Sequence, residues 1–244
     1  MKIALIGYGK MGREIEAVAI ARGHEITLKI TSENLEDLAQ LSPENVDVAI
    51  EFSSPESAVT NIEECIAAKV PVVVGTTGWY DNFKSIEAQV KKENTALFYA
   101  TNFSVGVNLF WKMCTQIAKL MGDNENYDAL ITEVHHTGKL DVPSGTAITT
   151  AERILKEQTK LKSWESFEED IVDDVDDDKL PIVSVREEDV PGTHVLSYTS
   201  EIDEIDLMHT AFNRKGFATG AVLAAEFLQN KKGVFSMDDL VESK

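Results

Sequence analysis

The chain has 244 residues, 43% of them hydrophobic and 27% charged, with a formal net charge of −19 at neutral pH. That length supports one large α/β domain or two modest ones with real cores. An acidic body of this kind argues against nucleic acid or an anionic membrane surface as partner, yet leaves room for a local positive site and a small anionic ligand.

The first elements follow one another without a break. Ile3 to Ile6 is an apolar run, and it stops at Gly7-Tyr8-Gly9-Lys10-Met11-Gly12. A helical pattern, Arg13 to Ala21, ends at Gly23, and a second strand follows from Glu25 to Ile30. Strand, glycine loop, helix, strand with G-x-G-x-x-G at the loop is the signature of dinucleotide binding. Gly7 makes the tight turn, Gly9 admits the pyrophosphate to the backbone, and Gly12 lets helix pack on strand. The second strand runs into Thr31-Ser32-Glu33-Asn34, without the usual acidic residue where the ribose should lie. Thr31 and Ser32 are placed there, with Glu33 close by as the one group able to repel a 2′-phosphate, so NADPH is admitted as well as NADH.

The α/β alternation continues. Val46 to Ile50 is a strand ending in Glu51-Phe52-Ser53-Ser54-Pro55, and Glu56 to Ala68 is helical. Val70 to Val74 is a buried-type strand ending in Gly75-Thr76-Thr77-Gly78. Asp81 to Glu93 is helical, and the strand Ala96 to Tyr99 ends in Ala100-Thr101-Asn102-Phe103-Ser104. Loops that follow parallel strands gather at the carboxyl edge of the sheet, where ligands bind. Gly75, Thr76 and Thr77, with Ala100, Thr101, Asn102 and Phe103, are therefore expected to face the nicotinamide half of the cofactor. The two cysteines, Cys65 and Cys114, each lie in an apolar helical pattern, which predicts buried thiols and fits a reducing compartment. The chain opens on a strand, and no apolar run is long enough to span a bilayer, so a cytoplasmic protein is expected.

After Ser104 the pattern changes. Val107 to Met121 is an apolar helix, and Tyr127 to Val134 is a strand leading into the densest stretch of the chain, Glu133-Val134-His135-His136-Thr137-Gly138-Lys139-Leu140-Asp141-Val142-Pro143-Ser144-Gly145-Thr146-Ala147. Adjacent histidines after a strand point to opposite sides and cannot both pack on one face. Lys139 can supply a charge or a proton. Ser144 is an N-cap for the helical run that follows, and the first turn of that helix offers free N–H groups to a carboxylate. Histidine, lysine and an anion-binding helix start together read as a site for a small acidic substrate. The helix runs to about Thr159. The acid-rich stretch from Trp164 to Lys179 lacks the spacing of a calcium loop and reads as a solvated, partly packed surface excursion. Ile182 to Arg186, His194 to Thr199 and Ile205 to His209 form strands of a second, mixed sheet. His194 and His209 read as packing or surface residues, and the open sheet suggests a partner subunit. Ala221 to Gln229 is a last apolar helix, expected to return to the nucleotide domain.

Taken together, Gly7-x-Gly9-x-x-Gly12, Gly75 to Gly78, Asn102 to Val107 and the stretch from Glu133 to Ala147 resemble the 4-hydroxy-tetrahydrodipicolinate reductase (dihydrodipicolinate reductase) family over nearly the whole chain. The resemblance implies an α/β protein with an N-terminal Rossmann dinucleotide-binding domain at 1–104, completed by 214–244. A smaller α+β domain at 105–213 would carry a mixed sheet, bind substrate and mediate assembly. It implies a cytoplasmic homotetramer of the diaminopimelate route to lysine, using NADPH or NADH. His135 is implied as proton donor or acceptor and Lys139 as proton donor. His136, Gly145 and Thr146 are implied as substrate contacts, with Ser144 at the same helix start. Gly7, Tyr8, Gly9, Lys10, Met11, Gly12, Thr31, Ser32 and the two later loops become cofactor contacts, while Arg214 and Phe217 fall near the site. The chain departs from many members where Thr31-Ser32 replaces an acidic residue followed by arginine. Two other readings compete: another two-domain NAD(P)-dependent dehydrogenase, and a nucleotide-sensing protein without turnover.

Overall fold

The structure is a computed structural model that describes residues 1–122, 124–168, 175–213 and 215–243. It divides into two compact units, Met1–Val105 with Lys215–Lys244, and Gly106–Arg214.

The first unit is a six-stranded, all-parallel sheet. Its strands are β1 (Lys2–Ile6), β2 (Glu25–Ile30), β3 (Val48–Glu51), β4 (Val72–Val74), β5 (Ala96–Tyr99) and β11 (Gly233–Phe235), in the order β11-β5-β4-β3-β1-β2. Helices cover both faces. Ile3 and Leu5 turn to one core, which takes Ile15 and Ala19 from α1 (Lys10–Ala21) and Ala218, Ala221, Val222 and Ala225 from α6 (Lys215–Phe227). Ala4 and Ile6 turn to the other, with Ala58, Ile62 and Ile66 of α2 (Pro55–Ala67) and Ile86 and Val90 of α3 (Phe83–Glu93). Residues of opposite pleat are thus buried alike, which is why these strands read as unbroken apolar runs rather than alternating ones. The small residues of α6 let it lie close: a Cβ on Gly220 would stand 1.7 Å from the Phe103 carbonyl oxygen. Strand β11 and the short helix α7 (Met237–Glu242) close the unit. Their three and six residues are too short for periodicity to single out in a sequence.

The strand order changes direction at β1. Chain order carries β2 to one side of it and β3, β4 and β5 to the other, so the loops after β1 and β3 part at a topological switch point. Ligands of open α/β sheets bind at such a point.

The second unit holds a five-stranded mixed sheet in the order β10-β9-β6-β8-β7. Strand β6 (Asp128–His135) is antiparallel to β9 (Gly192–Thr199) and parallel to β8 (Lys179–Arg186). β10 (Glu204–Ala211) pairs antiparallel with β9, and β7 (Ser163–Glu168) parallel with β8. One core gathers Ile131, Ile182, Leu196 and Tyr198 from the sheet. It also takes Phe110, Trp111 and Cys114 from α4 (Val105–Met121), and Ala147, Ala151 and Ile154 from α5 (Gly145–Glu157). Here β7 corrects the sequence reading. The start of the acidic stretch is an edge strand, with Trp164 packed against the core and Lys179 paired to Glu165 at 2.9 Å and Asp176 at 2.8 Å. Its charges suit a sheet edge, where they discourage pairing with another chain. Residues 169–174 of that stretch lie outside the described residues. Among the described residues no helix is long and apolar enough to cross a membrane.

Candidate active site

In the first unit, Gly7, Tyr8, Gly9, Thr31 and Ser32 line one cleft of about 500 Å³, together with Phe52, Ser53, Ser54, Ser57 and Asn61. The residues test well against a bound dinucleotide. Gly7 has φ +91°, and a Cβ there would meet the Phe52 carbonyl oxygen at 2.0 Å; a Cβ on Gly12 would meet the Gly7 oxygen at 2.3 Å. Gly9 faces open space. The α1 start carries no acidic side chain and no side-chain cap, so its N–H groups remain for a phosphate. Lys10 stands exposed at the first position of that helix, and Met11 lines a neighbouring hollow with Gly75, Thr76 and Thr77.

At the β2 end, the Thr31 N–H and hydroxyl both donate to Asn34 Oδ1 at 2.8 Å, whereas Ser32 is exposed in the cleft. Lys29 is held by Glu16 at 2.6 Å and lies over the Tyr8 ring. At the β4 end, the buried Thr76 hydroxyl accepts the Ser53 N–H at 2.8 Å, which ties the loops after β3 and β4; Thr77 is exposed. At the β5 end, Ala100 and Phe103 are buried, Asn102 Oδ1 accepts the Ser104 N–H at 2.9 Å, and Thr101 is exposed. The Phe103 ring lies 5.5 Å from Phe52 and 5.9 Å from Phe98. The contribution of the β3 end was missed at the sequence level. Glu51 is fully buried, accepts from Ser53 Oγ and from Asn61, and its carboxyl is pushed up by burial against those hydrogen bonds. Only the sheet order reveals that this loop adjoins the glycine loop. Phe217 is half-buried on α6, and Arg214 lies outside the described residues.

In the second unit, strand alternation sets the site. Ile131, Glu133 and His135 share the covered face of β6, so the core side ends in two polar residues. His136, the first residue past the strand, is half-buried, and His135 is 7% exposed. The turn beyond is closed by the Lys139 N–H donating to the His136 carbonyl at 3.0 Å. It delivers the Lys139 ammonium to both Asp141 carboxylate oxygens at 2.7 Å. Arg186, opposite His135 in the sheet, donates to the Asp141 carbonyl at 3.0 Å.

The α5 start is built differently from a bare anion site. Ser144 is buried; its hydroxyl accepts the Ala147 N–H at 3.2 Å and lies 3.1 Å from His194 Nε2, and its own N–H donates to Glu133 Oε1 at 3.0 Å. Ser144 thus serves the cap, while Gly145, exposed with open space around it, and half-buried Thr146 stand at the surface of the helix start. Register adds residues that spacing did not reveal. Glu133 lies opposite Ser184 on β8 and His194 on β9. His194, read from sequence as a packing or surface residue, is buried in this polar cluster, 5.0 Å from the His135 ring. Burial would raise the Glu133 carboxyl, but His194, Ser144 and Ser184 outweigh it and hold it at about 2. Burial pushes His135 down to about 4, with Glu133 opposing and His194, Lys139 and Arg186 adding to the fall.

A parallel-sheet unit with a glycine loop at its switch point, in one chain with a mixed-sheet unit bearing histidines and lysine at a helix start, defines a nicotinamide-dinucleotide oxidoreductase. Residues 1–103 match the family model described as dihydrodipicolinate reductase, N-terminus, and residues 106–241 match dihydrodipicolinate reductase, C-terminus. The chain belongs to the dihydrodipicolinate reductase family. It is 46% identical over 241 residues to the 4-hydroxy-tetrahydrodipicolinate reductase of Christiangramia forsetii, covering 99% of this chain and 98% of that one. It is 32% identical to the enzyme of the same name from Buchnera aphidicola, covering 91% and 82%. Among solved structures, a dipicolinate-bound dihydrodipicolinate reductase from Paenisporosarcina sp. TG-14 shares the fold with a TM-score of 0.78 at 22% identity, covering 97% of both chains. A probable dehydrogenase from Thermotoga maritima shares it more distantly, with a TM-score of 0.60 at 13% identity, covering 100% and 93%.

Proposed function

We propose that this protein reduces 4-hydroxy-tetrahydrodipicolinate (dihydrodipicolinate) to tetrahydrodipicolinate with NADPH or NADH, in lysine and diaminopimelate biosynthesis. The observation that carries the reading is the gathering of His135, His136, Lys139 and the α5 start at one end of β6, in a chain whose two halves match the two halves of one reductase family. The substrate is a cyclic, conjugated dicarboxylate. One carboxylate is held by the Gly145 and Thr146 end of α5, where N–H groups and the helix dipole favour an anion, with His136 beside it. The Ser144 side chain acts from beneath, as the cap that keeps the helix start in place.

The glycine loop from Gly7 to Gly12, Ser32, and the loops Gly75 to Thr77 and Ala100 to Phe103 hold the dinucleotide, which supplies a hydride when bound. Hydride addition drives an electron pair of the conjugated system onto the α-carbon. Lys139 stabilises that developing charge with its ammonium and delivers a proton to the carbon. His135 is neutral at pH 7 in the bare site, as its depressed value requires, so its part depends on what binds beside it.

A homotetramer is part of the proposal. Support comes from apolar side chains left in water on and beside β10: Ile205, Met208, Ile202 and Phe212, the last 85% exposed. Large apolar side chains left exposed along a sheet edge favour burial against a partner subunit. A cytoplasmic setting fits a biosynthetic reductase with two free, buried cysteines.

The test is loss of reduced-nicotinamide absorbance on enzymatically generated substrate. Turnover with that substrate supports the reading. Turnover with another carbonyl or imine substrate alone would favour a different dehydrogenase, and cofactor binding without turnover a sensor.

A further inference from the structure

We infer that Glu133 is the positioning residue of the site, one that holds His135 by Nδ1 and couples dicarboxylate binding to uptake of a proton at His135 Nε2. The inference rests on the proposed reductase activity and specifies how the site gains the positive charge that holds the dicarboxylate.

Glu133 has no exposure at all, and its two oxygens are treated differently. Oε1 accepts the Ser144 N–H at 3.0 Å and the Ser184 hydroxyl at 2.8 Å, with Arg186 Nη1 at 3.8 Å. The α5 start and β8 thereby fix the carboxylate in place. Oε2 faces two imidazoles, His135 Nδ1 at 3.4 Å and His194 Nε2 at 3.6 Å. Glu133 Oε2 and His135 Nδ1 are both buried without a hydrogen-bond partner among the described residues. A native site seldom leaves a buried carboxylate oxygen and a buried ring nitrogen side by side and unsatisfied, and when it does a catalytic role is among the usual reasons. With a proton on Nδ1 the pair needs only a small closure to form a charge-assisted bond.

The other ring nitrogen has been given room. A Cβ on Gly192 would stand 3.0 Å from His135 Nε2 and 3.2 Å from Cδ2. A side chain at that position would crowd Nε2, so glycine keeps its approach clear. Glu133 selects the tautomer with Nδ1–H inward, which leaves the Nε2 lone pair for an incoming proton.

The charges around His135 make that proton conditional. From β6 Glu133 favours the imidazolium. From β9 His194, from the turn Lys139, and from β8 Arg186 oppose it; Asp141 lies against Lys139, and His209 on β10 faces His194. Burial adds to the opposition, so the bare site is neutral at His135. A dicarboxylate brings two negative charges that offset Lys139 and Arg186, and tips the balance. One proton then moves from solvent to Nε2, where it donates to the substrate carboxylate. That proton serves binding and returns to solvent when the product leaves; the proton added to the carbon is the separate one that Lys139 delivers and regains from solvent.

Calorimetry of the full chain saturated with NADPH, titrated with pyridine-2,6-dicarboxylate in buffers of different ionisation enthalpy, tests this. At about pH 7.5 the unmutated protein should take up roughly one proton per ligand, and affinity should weaken about tenfold per pH unit above that. Glu133→Gln should take up less than about half as much, with the affinity profile moved to lower pH and NADPH affinity unchanged. Arg186→Gln removes an opposing, permanently charged guanidinium and should move the profile the other way, to higher pH, so the pair of variants reads a sign that a merely structural role would not produce. Ligand binding without proton uptake overturns the inference and leaves the reductase reading intact, as does an Arg186→Gln profile moved to lower pH. Failure of the unmutated protein both to bind the ligand and to turn over overturns both.

Discussion

Replacing Lys139 with alanine separates chemistry from stability. The ammonium contacts both oxygens of Asp141 at 2.7 Å, but the Asp141 side chain is 61% exposed, and the lysine sits in a turn rather than in the core. An exposed pair of that kind contributes at most about 1 kcal/mol. In a chain of this length that corresponds to a fall in Tm of roughly 2–4 °C. Asp141 is left in water, so no uncompensated buried charge is created. The loss in turnover should be far larger. Removing a proton donor or a charge that meets the transition state costs about a hundredfold in kcat, or about 2.7 kcal/mol. Initial rates from nicotinamide absorbance, alongside thermal unfolding of the same samples, measure both. Lys139→Arg refines the result: an arginine keeps the charge but holds its proton, so recovery of most of the activity would assign Lys139 an electrostatic part rather than proton delivery. A folded Lys139→Ala variant with turnover within about threefold of the unmutated protein would refute the reasoning.

Thr146→Val should weaken inhibition by pyridine-2,6-dicarboxylate and raise KM by roughly tenfold with kcat nearly unchanged, since one donor to a carboxylate is lost; an unchanged inhibition constant counts against the α5 start as the anion site. Ser32→Asp should move preference from NADPH towards NADH by roughly tenfold in relative affinity, because Ser32 is the exposed hydroxyl in the cleft while Thr31 is engaged with Asn34. Strict NADH dependence in the unmutated protein would place Glu33 at the ribose instead. His135 also predicts a pH effect on stability. Its folded value, about 4, lies below the ordinary 6.5, so the unfolded chain binds the proton more readily. Its contribution is complete above about pH 6.5 and is lost as pH falls towards 4, before Glu133 begins to protonate. The Tm difference between the unmutated protein and His135→Asn should therefore shrink between pH 7 and pH 5, and a difference constant across that range rules the effect out.

The sequence by itself determined the nucleotide-binding half in most of its parts. Unbroken apolar strands such as Ile3 to Ile6 are legible because both sheet faces are buried, and G-x-G-x-x-G is legible because steric limits at Gly7 and Gly12 tolerate no Cβ. Ser144 was legible as a cap because capping is a contact across three residues. Local physics of this kind is written within a few positions of the chain. The tertiary structure decided everything that depends on which strand lies beside which. Phe52 and Ser53 line the cleft beside the glycine loop because β3 is the neighbour of β1, although Phe52 lies 45 positions beyond Gly7 in sequence. Glu133 meets Ser184 and His194 through sheet register across 51 and 61 positions, and no local pattern marks His194 as different from any other half-apolar strand residue. The acidic start of β7 was misread for the same reason. Its pairing with β8 outweighs a composition that, taken alone, favours solvent. Side-chain identity was local; partnership was set by the fold.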